Sequence, residues 1–160
     1  MDTGLDTMTG GRVKRVQKYI GNEPFMLTYG DGVSDINIKG LCEFHKKHQK
    51  MLTISAYNVE QRFGVLDINE EGQITAFREK AANDGSMVNM GYMVCQPEIF
   101  DHIIGDETVF EKKPLIEAAA GKQLMAYKHN GFWQCMDTVR ERQKLEEMWA
   151  DGTAPWKVWD

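Results

Sequence analysis

Phe25-Met26-Leu27-Thr28-Tyr29 followed by Gly30-Asp31-Gly32 is a short apolar run that stops on an acid flanked by glycines. Five residues are enough for a buried strand and too few for a helix. The run follows a break at Gly21-Asn22-Glu23-Pro24; before that, Thr7 to Arg12 reads as a loop running into Val13 to Ile20, where Val13, Val16 and Ile20 recur at helical spacing. After it, Asp35 or Asn37 can cap a second helix, with Ile38, Leu41, Phe44 and His48 on one face and an end near Gln49. Helix, strand and helix in this order set the reading of everything downstream.

Met51 to Tyr57 reads as the next strand. Val65–Ile68 and Gln73–Phe77, on either side of Asn69-Glu70-Glu71-Gly72, read as a β-hairpin. Met87 to Val94 is a further apolar strand closed by Gln96-Pro97, and Pro97 introduces a helical segment to Ile104. Pro114 to Ala120 is helical and stops at Gly121; Leu124–Lys128 and Phe132–Met136 are strands; the last helix opens at Asp137-Thr138 and runs to about Trp149. Strands alternating with helices predict an α/β sheet with parallel strands, carrying a small antiparallel β insertion.

Composition bounds the function. The chain has 160 residues, suited to one domain or a large piece of one, and its 42% hydrophobic and 27% charged content is that of a globular protein. A net charge of -5 argues against a bulk nucleic-acid binder, which carries a basic face. Cys42, Cys95 and Cys135 lie far apart without a CxxC, which favours buried thiols in a reducing compartment, and the cytoplasm is the default. His45 and His48 sit in a Lys-rich segment and read as part of a solvated face. No apolar run approaches the roughly 20 residues of a membrane span.

Several residues are candidates for chemistry. Asp31 stands directly beyond a strand end, where open α/β sheets bind ligands, and its flanking glycines allow phosphates close to the backbone. Mg²⁺ typically takes one or two such carboxylates plus phosphate oxygens. As a turn former, Asp31 would need no ligand at all. Asp137 also follows a strand; its simplest role is an N-cap, although two carboxylates after two strands could share a cation. Lys80 and Arg12 are charges able to meet phosphates, or ordinary surface residues. Asn89 puts an amide inside an apolar strand, where it must find partners. The tryptophans (Trp133, Trp149, Trp156, Trp159) read as packing.

Taken in order, these segments resemble the sugar-1-phosphate nucleotidyltransferases. Within that family they are most similar to the branch that joins glucose 1-phosphate to a cytidine nucleotide. The similarity rests on Asp2-Thr3-Gly4 with Thr7 to Arg12, Tyr29 to Asp35, Arg62 to Ile68, Phe77-Arg78-Glu79-Lys80, Gly131 to Thr138 and Ala154 to Trp159. It implies transfer of CMP from CTP to glucose 1-phosphate, giving CDP-glucose and pyrophosphate, a nucleotide sugar of the kind used in O-antigen and other polysaccharide synthesis. The alternatives are a relative using another nucleotide, such as a thymidylyl- or uridylyltransferase, and a non-catalytic truncated remnant that binds sugar phosphate or assembles with full-length subunits. By motif, Asp31 and Asp137 would hold Mg²⁺ and act in catalysis with Lys80. Thr7, Arg12 and Gly30 would contact the nucleotide, and Gly64, Glu79 and Asn89 the sugar. Association of like subunits is expected, with no nucleic-acid or membrane partner.

There are departures from the family pattern. Ala81 and Cys135 stand where prolines are usual, and the family's opening strand and Gly-Gly-x-Gly-Thr-Arg loop have no match in residues 1–160. The resemblance therefore implies a doubly wound, Rossmann-like nucleotidyltransferase core whose first βα unit is missing, residues 1–160 being the C-terminal portion of one domain. Such a chain is expected to be marginally stable and to turn over poorly, since that loop donates backbone N–H groups to the triphosphate.

Overall fold

The computed structural model describes residues 1–58, 65–68, 73–78 and 87–159. Four strands form the main sheet: β1 (Phe25–Thr28), β3 (Leu52–Asn58), β6 (Met87–Cys95) and β7 (Leu124–His129), in the order β1-β6-β3-β7. The β3–β7 pair is parallel, whereas β6 is antiparallel to both β1 and β3. Thus β1, β3 and β7 point one way and β6 runs back between the first two. β2 (Gly32–Ser34) and β8 (Trp133–Cys135) make a separate antiparallel ribbon, and β4 (Val65–Ile68) pairs with β5 (Ile74–Arg78) as the expected hairpin. The predicted α/β core with a small antiparallel addition is the architecture found.

Period-two alternation gives the sheet two apolar faces. On one face Leu52, Met93 and Cys95 pack with Val13, Ile99, Phe100, Phe110 and Ala118, drawing in α1 (Thr9–Ile20), the 3₁₀ segment Pro97–His102 and α3 (Lys113–Ala120). On the other face Met90 and Val94 meet Ile36 and Leu41, the latter from α2 (Ile38–His48). Helices on both faces make the sheet doubly wound. Leu52, Cys95 and Ile99 are fully buried. Each large apolar side chain so buried contributes roughly 1.5–3 kcal/mol.

Two local readings change. α1 begins at Thr9 rather than Val13, so Gly10 and Gly11 lie inside its first turn. A Cβ on Gly10 would sit 2.7 Å from the Thr108 carbonyl oxygen, and one on Gly11 2.6 Å from Asp106 Cα. The pair is there because the helix start lies against that loop, not because the chain turns.

The histidines are the second change. His45 is 1% exposed, so the solvated face does not include it. Its Nδ1 lies 2.8 Å from Thr53 Oγ1, its Nε2 takes a hydrogen bond from Gln96 at 3.0 Å, and His48 Nε2 reaches the same threonine hydroxyl at 2.7 Å. His48 Nδ1 accepts from the Lys50 N–H, which assigns it the Nε2–H tautomer when neutral. Burial lowers both histidine pKa values, helped by the other ring at His45 and by Lys50 at His48. A Leu41–His45 pair at i,i+4 faces the sheet, and its polar member is satisfied across to β3.

Candidate active site

The carboxyl ends of β1, β3 and β7 and the start of β6 come to one edge of the sheet, because β6 alone is reversed. The turn after β1 carries Tyr29, Gly30 and Asp31. Tyr29 N–H donates to the Gly91 carbonyl at 3.1 Å, and Asn89 Nδ2 donates to the Tyr29 hydroxyl at 3.3 Å. The Asn89 amide oxygen accepts from Gly91 N–H at 2.8 Å. The amide placed in an apolar strand by the sequence thus finds partners inside the protein, and one Nδ2 hydrogen meets no acceptor among the described residues. Gly30 faces open space, since a Cβ there would meet nothing within 4 Å.

The β2–β8 ribbon lies on this edge. Trp133 Nε1 donates to the Met90 carbonyl at 3.0 Å and the Tyr92 hydroxyl to the Gly32 carbonyl at 2.9 Å, which fastens both ribbon strands to β6. At its far end Asp35 Oδ1 accepts from Phe132 N–H at 2.7 Å and lies 2.9 Å from His129 Nε2. Asn37, not Asp35, caps α2, through Gly40 N–H at 2.8 Å.

Asp31 and Asp137 flank the ribbon's other end. Met136 N–H donates to the Asp31 carbonyl at 2.8 Å, so the two carboxylate-bearing turns are adjacent, and both side chains are exposed. The simple N-cap role for Asp137 fails. Thr138 caps α4 (Val139–Ala150), its Oγ1 accepting from Glu141 N–H at 3.2 Å, while the Glu141 carboxylate accepts from Thr138 N–H at 2.9 Å in a full capping box. Asp137 is thereby released from capping, and its carboxylate lies beside the Cys135 thiol and the Glu141 carboxylate. Cys135, Asp137 and Glu141 each offer a ligand atom, all within 4.8 Å of one another. Burial pushes the Cys135 thiol up, reinforced by hydrogen bonding to Asp137 and the charge of Glu141. Hydrogen bonds from Thr138 hold Glu141 below the usual carboxylate range. Asp137 and Glu141 supply oxygen donors of the kind that suit a hard divalent cation, whereas Cys135 offers a softer sulfur.

The other candidates divide. Arg12 Nη1 and Nη2 donate to Thr3 Oγ1 at 2.7 Å and the Leu5 carbonyl at 3.1 Å, which ties down residues 3–5. Thr7 is 6% exposed beneath that same segment. Gly64, Glu79 and Lys80 lie outside the described residues. Sequence reasoning passed over Tyr29, Glu111, Asp35 and His129. Tyr29 directly precedes the glycine–acid turn, which was a usable signal; the others announce themselves only through contacts distant in sequence. Trp133 packs on Tyr57 and Trp156 stacks on Phe132, but Trp149 and Trp159 are 53% and 58% exposed. All three cysteines are free; Cys95 is buried, and Cys42 and Cys135 are partly exposed.

Doubly wound sheets bind their ligands beyond the carboxyl ends of their strands, and the acidic turns stand on that side of this one. The chain belongs to the nucleotidyl transferase family, whose model matches residues 8–152. It is 48% identical over 161 aligned positions to glucose-1-phosphate cytidylyltransferase of Salmonella typhi, covering 100% of this chain and 62% of that protein. Against glucose-1-phosphate adenylyltransferase of Acetivibrio thermocellus identity is 30%, over 78% of this chain and 32% of that one. A crystal structure of UDP-glucose pyrophosphorylase superposes with a TM-score of 0.68 at 16% identity, covering 95% of this chain and 63% of that structure, a likeness of fold. The chain therefore spans less than two thirds of the length of these relatives. Among the described residues no helix is long and apolar enough to cross a membrane.

Proposed function

We propose that this chain forms the metal and sugar-phosphate side of a glucose-1-phosphate cytidylyltransferase. The observation that carries the reading is the 48% identity to the Salmonella typhi enzyme along the whole chain. Identity to the adenylyltransferase is lower, at 30%, which favours cytidine over adenine as the base. In the reaction a phosphate oxygen of glucose 1-phosphate attacks the α-phosphorus of CTP. The new P–O bond forms as the bond to the β-phosphate bridging oxygen breaks, and pyrophosphate leaves.

Catalysis of this kind is mostly positioning and neutralisation of charge on the phosphoryl oxygens. Asp31 and Asp137 would hold Mg²⁺, which supplies Lewis-acid stabilisation of that charge when bound. Release of Asp137 from capping supports this assignment. Gly30 lets a nucleotide approach the turn, and Asn89 offers its spare N–H to a sugar hydroxyl. Lys80 would meet the sugar phosphate, Glu79 and Gly64 the sugar, and Thr7 and Arg12 the nucleotide. For the last two, support comes from the family motif alone, since Thr7 is buried and Arg12 is engaged with Thr3 and Leu5. A cytoplasmic location and assembly with like subunits complete the reading.

The test is pyrophosphate release from CTP, glucose 1-phosphate and Mg²⁺. In a chain extended to include the family's Gly-rich loop, the proposal expects release that depends on all three and is lost in Asp31→Ala. Release unchanged by that substitution, or equal release with ATP, would contradict it.

A further inference from the structure

A chain of side chains runs across the site edge, and neither the family motifs nor the proposed reaction assigns it a role. Asn89 Nδ2 donates to the Tyr29 hydroxyl, which donates to Glu111 Oε1; from the other side Thr9 Oγ1 donates to Glu111 Oε2 at 2.7 Å and itself accepts from Phe110 N–H at 2.9 Å. Every hydroxyl hydrogen in this chain points at the one carboxylate. Charge-assisted bonds of this kind are the stronger and shorter ones. The elements joined are far apart in sequence, since 82 residues separate Tyr29 from Glu111 and 60 separate Tyr29 from Asn89. Burial and then the Glu111 carboxylate raise the Tyr29 phenol, so at neutral pH it stays a donor. Gly91 completes the arrangement: at φ +85° it lies against the Tyr29 ring, and a Cβ there would come 2.6 Å from Tyr29 Cδ2.

We infer that Tyr29 and Glu111 are positioning residues, which fix the Asn89 amide in one orientation and hold the Gly30–Asp31 turn to the start of α1. The inference rests on the proposed reading of Asn89 as a sugar-binding group. With its oxygen held by Gly91 N–H and one amide hydrogen by Tyr29, Asn89 presents one defined donor to a ligand. Without Glu111 the phenol can turn its hydrogen elsewhere, and Asn89 is free to rotate.

The test uses the 160-residue chain with Tyr29→Phe, Glu111→Gln, Asn89→Ala and the Tyr29→Phe/Asn89→Ala double variant. Two quantities are read by NMR: amide exchange at Gly91 and the dissociation constant for glucose 1-phosphate. Gln at 111 has one carbonyl oxygen, so one of the two hydroxyls loses its acceptor, while Phe at 29 keeps the ring on Gly91. Both single variants are expected to speed exchange at Gly91 and to weaken glucose 1-phosphate about five- to tenfold, the loss of roughly one hydrogen bond. The double variant is expected to be no weaker than Asn89→Ala, because the phenol acts through the amide. Unchanged exchange at Gly91, or additive losses in the double variant, would overturn the inference. No binding of glucose 1-phosphate by the unsubstituted chain would overturn the sugar-site reading and the positioning role with it; Gly91 exchange then still reports whether the hydrogen-bond chain exists.

Discussion

The four-stranded sheet and the β2–β8 ribbon lie side by side and are held by opposite means. The sheet is closed by side chains with almost no exposure, Leu52, Cys95 and Ile99 at 0% and Phe100 and Met93 at 1%. No residue of the ribbon is fully buried, and apart from Trp133 packed on Tyr57 and the Met90–Val94 face it is placed by hydrogen bonds, from Trp133 to Met90, Tyr92 to Gly32 and Phe132 to Asp35. Burial is non-directional and decides whether the chain folds, whereas hydrogen bonds are directional and decide where Asp31 and Asp137 point. Substitutions in the two regions should therefore separate stability from ligand binding.

The largest effect is expected on the sheet side. Phe100 is buried and stacked on Phe25 with ring centroids 5.3 Å apart. Phe100→Ala should cost about 3–5 kcal/mol in chemical denaturation, a large part of the 5–15 kcal/mol typical of a whole domain. A loss below about 1 kcal/mol would show that this face is not the core.

Gly91→Ala probes the seam between the regions. It combines an unfavourable backbone angle with a Cβ forced onto Tyr29, so about 1–3 kcal/mol of destabilisation is expected together with a shifted Tyr29 resonance. An Ala variant as stable as the parent would contradict the described approach. On the ribbon side, Thr138→Ala removes one cap for about 1 kcal/mol. It should alter the environment of Asp137 more than that of any sheet residue, which NMR shifts would show.

The smallest effect at neutral pH belongs to the buried His45 and the half-buried His48, already uncharged there. Their folded pKa values lie below the unfolded value of about 6.5, so the folded state binds fewer protons. Their contribution is then fully present above about pH 6.5 and is lost as the pH falls below it toward the lowered folded values. Denaturation midpoints that fall on acidification, and fall less in His45→Gln, would agree; identical slopes for the two proteins would not.

Much of the sheet is readable from the sequence because period-two alternation and glycine or proline stops are local signals. Phe25–Thr28, Leu52–Asn58 and Met87–Cys95 all lie where the apolar runs place them. The reversal of β6 between β1 and β3 has no local signature, since alternation carries no direction. Gly10-Gly11 resembled a loop because what it packs against, Asp106 and Thr108, is nearly a hundred residues away. His45 resembled a surface residue among lysines because its partner Thr53 lies across on β3. Of the candidate site, the turns carrying Asp31 and Asp137 lie just past strands as the sequence places them, but that Thr138 and not Asp137 caps α4 depends on which of two adjacent residues meets the first turn of the helix. The Tyr29–Glu111 contact could not be seen without the fold.

The turns at Asp31 and Asp137 are proposed to hold one divalent cation together, beside the phosphate of glucose 1-phosphate. Titration with Mn²⁺ in the presence of glucose 1-phosphate, followed by electron paramagnetic resonance, tests it most directly. One Mn²⁺ should bind per chain, be displaced by Mg²⁺, and be lost in both Asp31→Asn and Asp137→Asn while each variant keeps a cooperative unfolding transition. Binding of equal strength in either folded variant would contradict the claim.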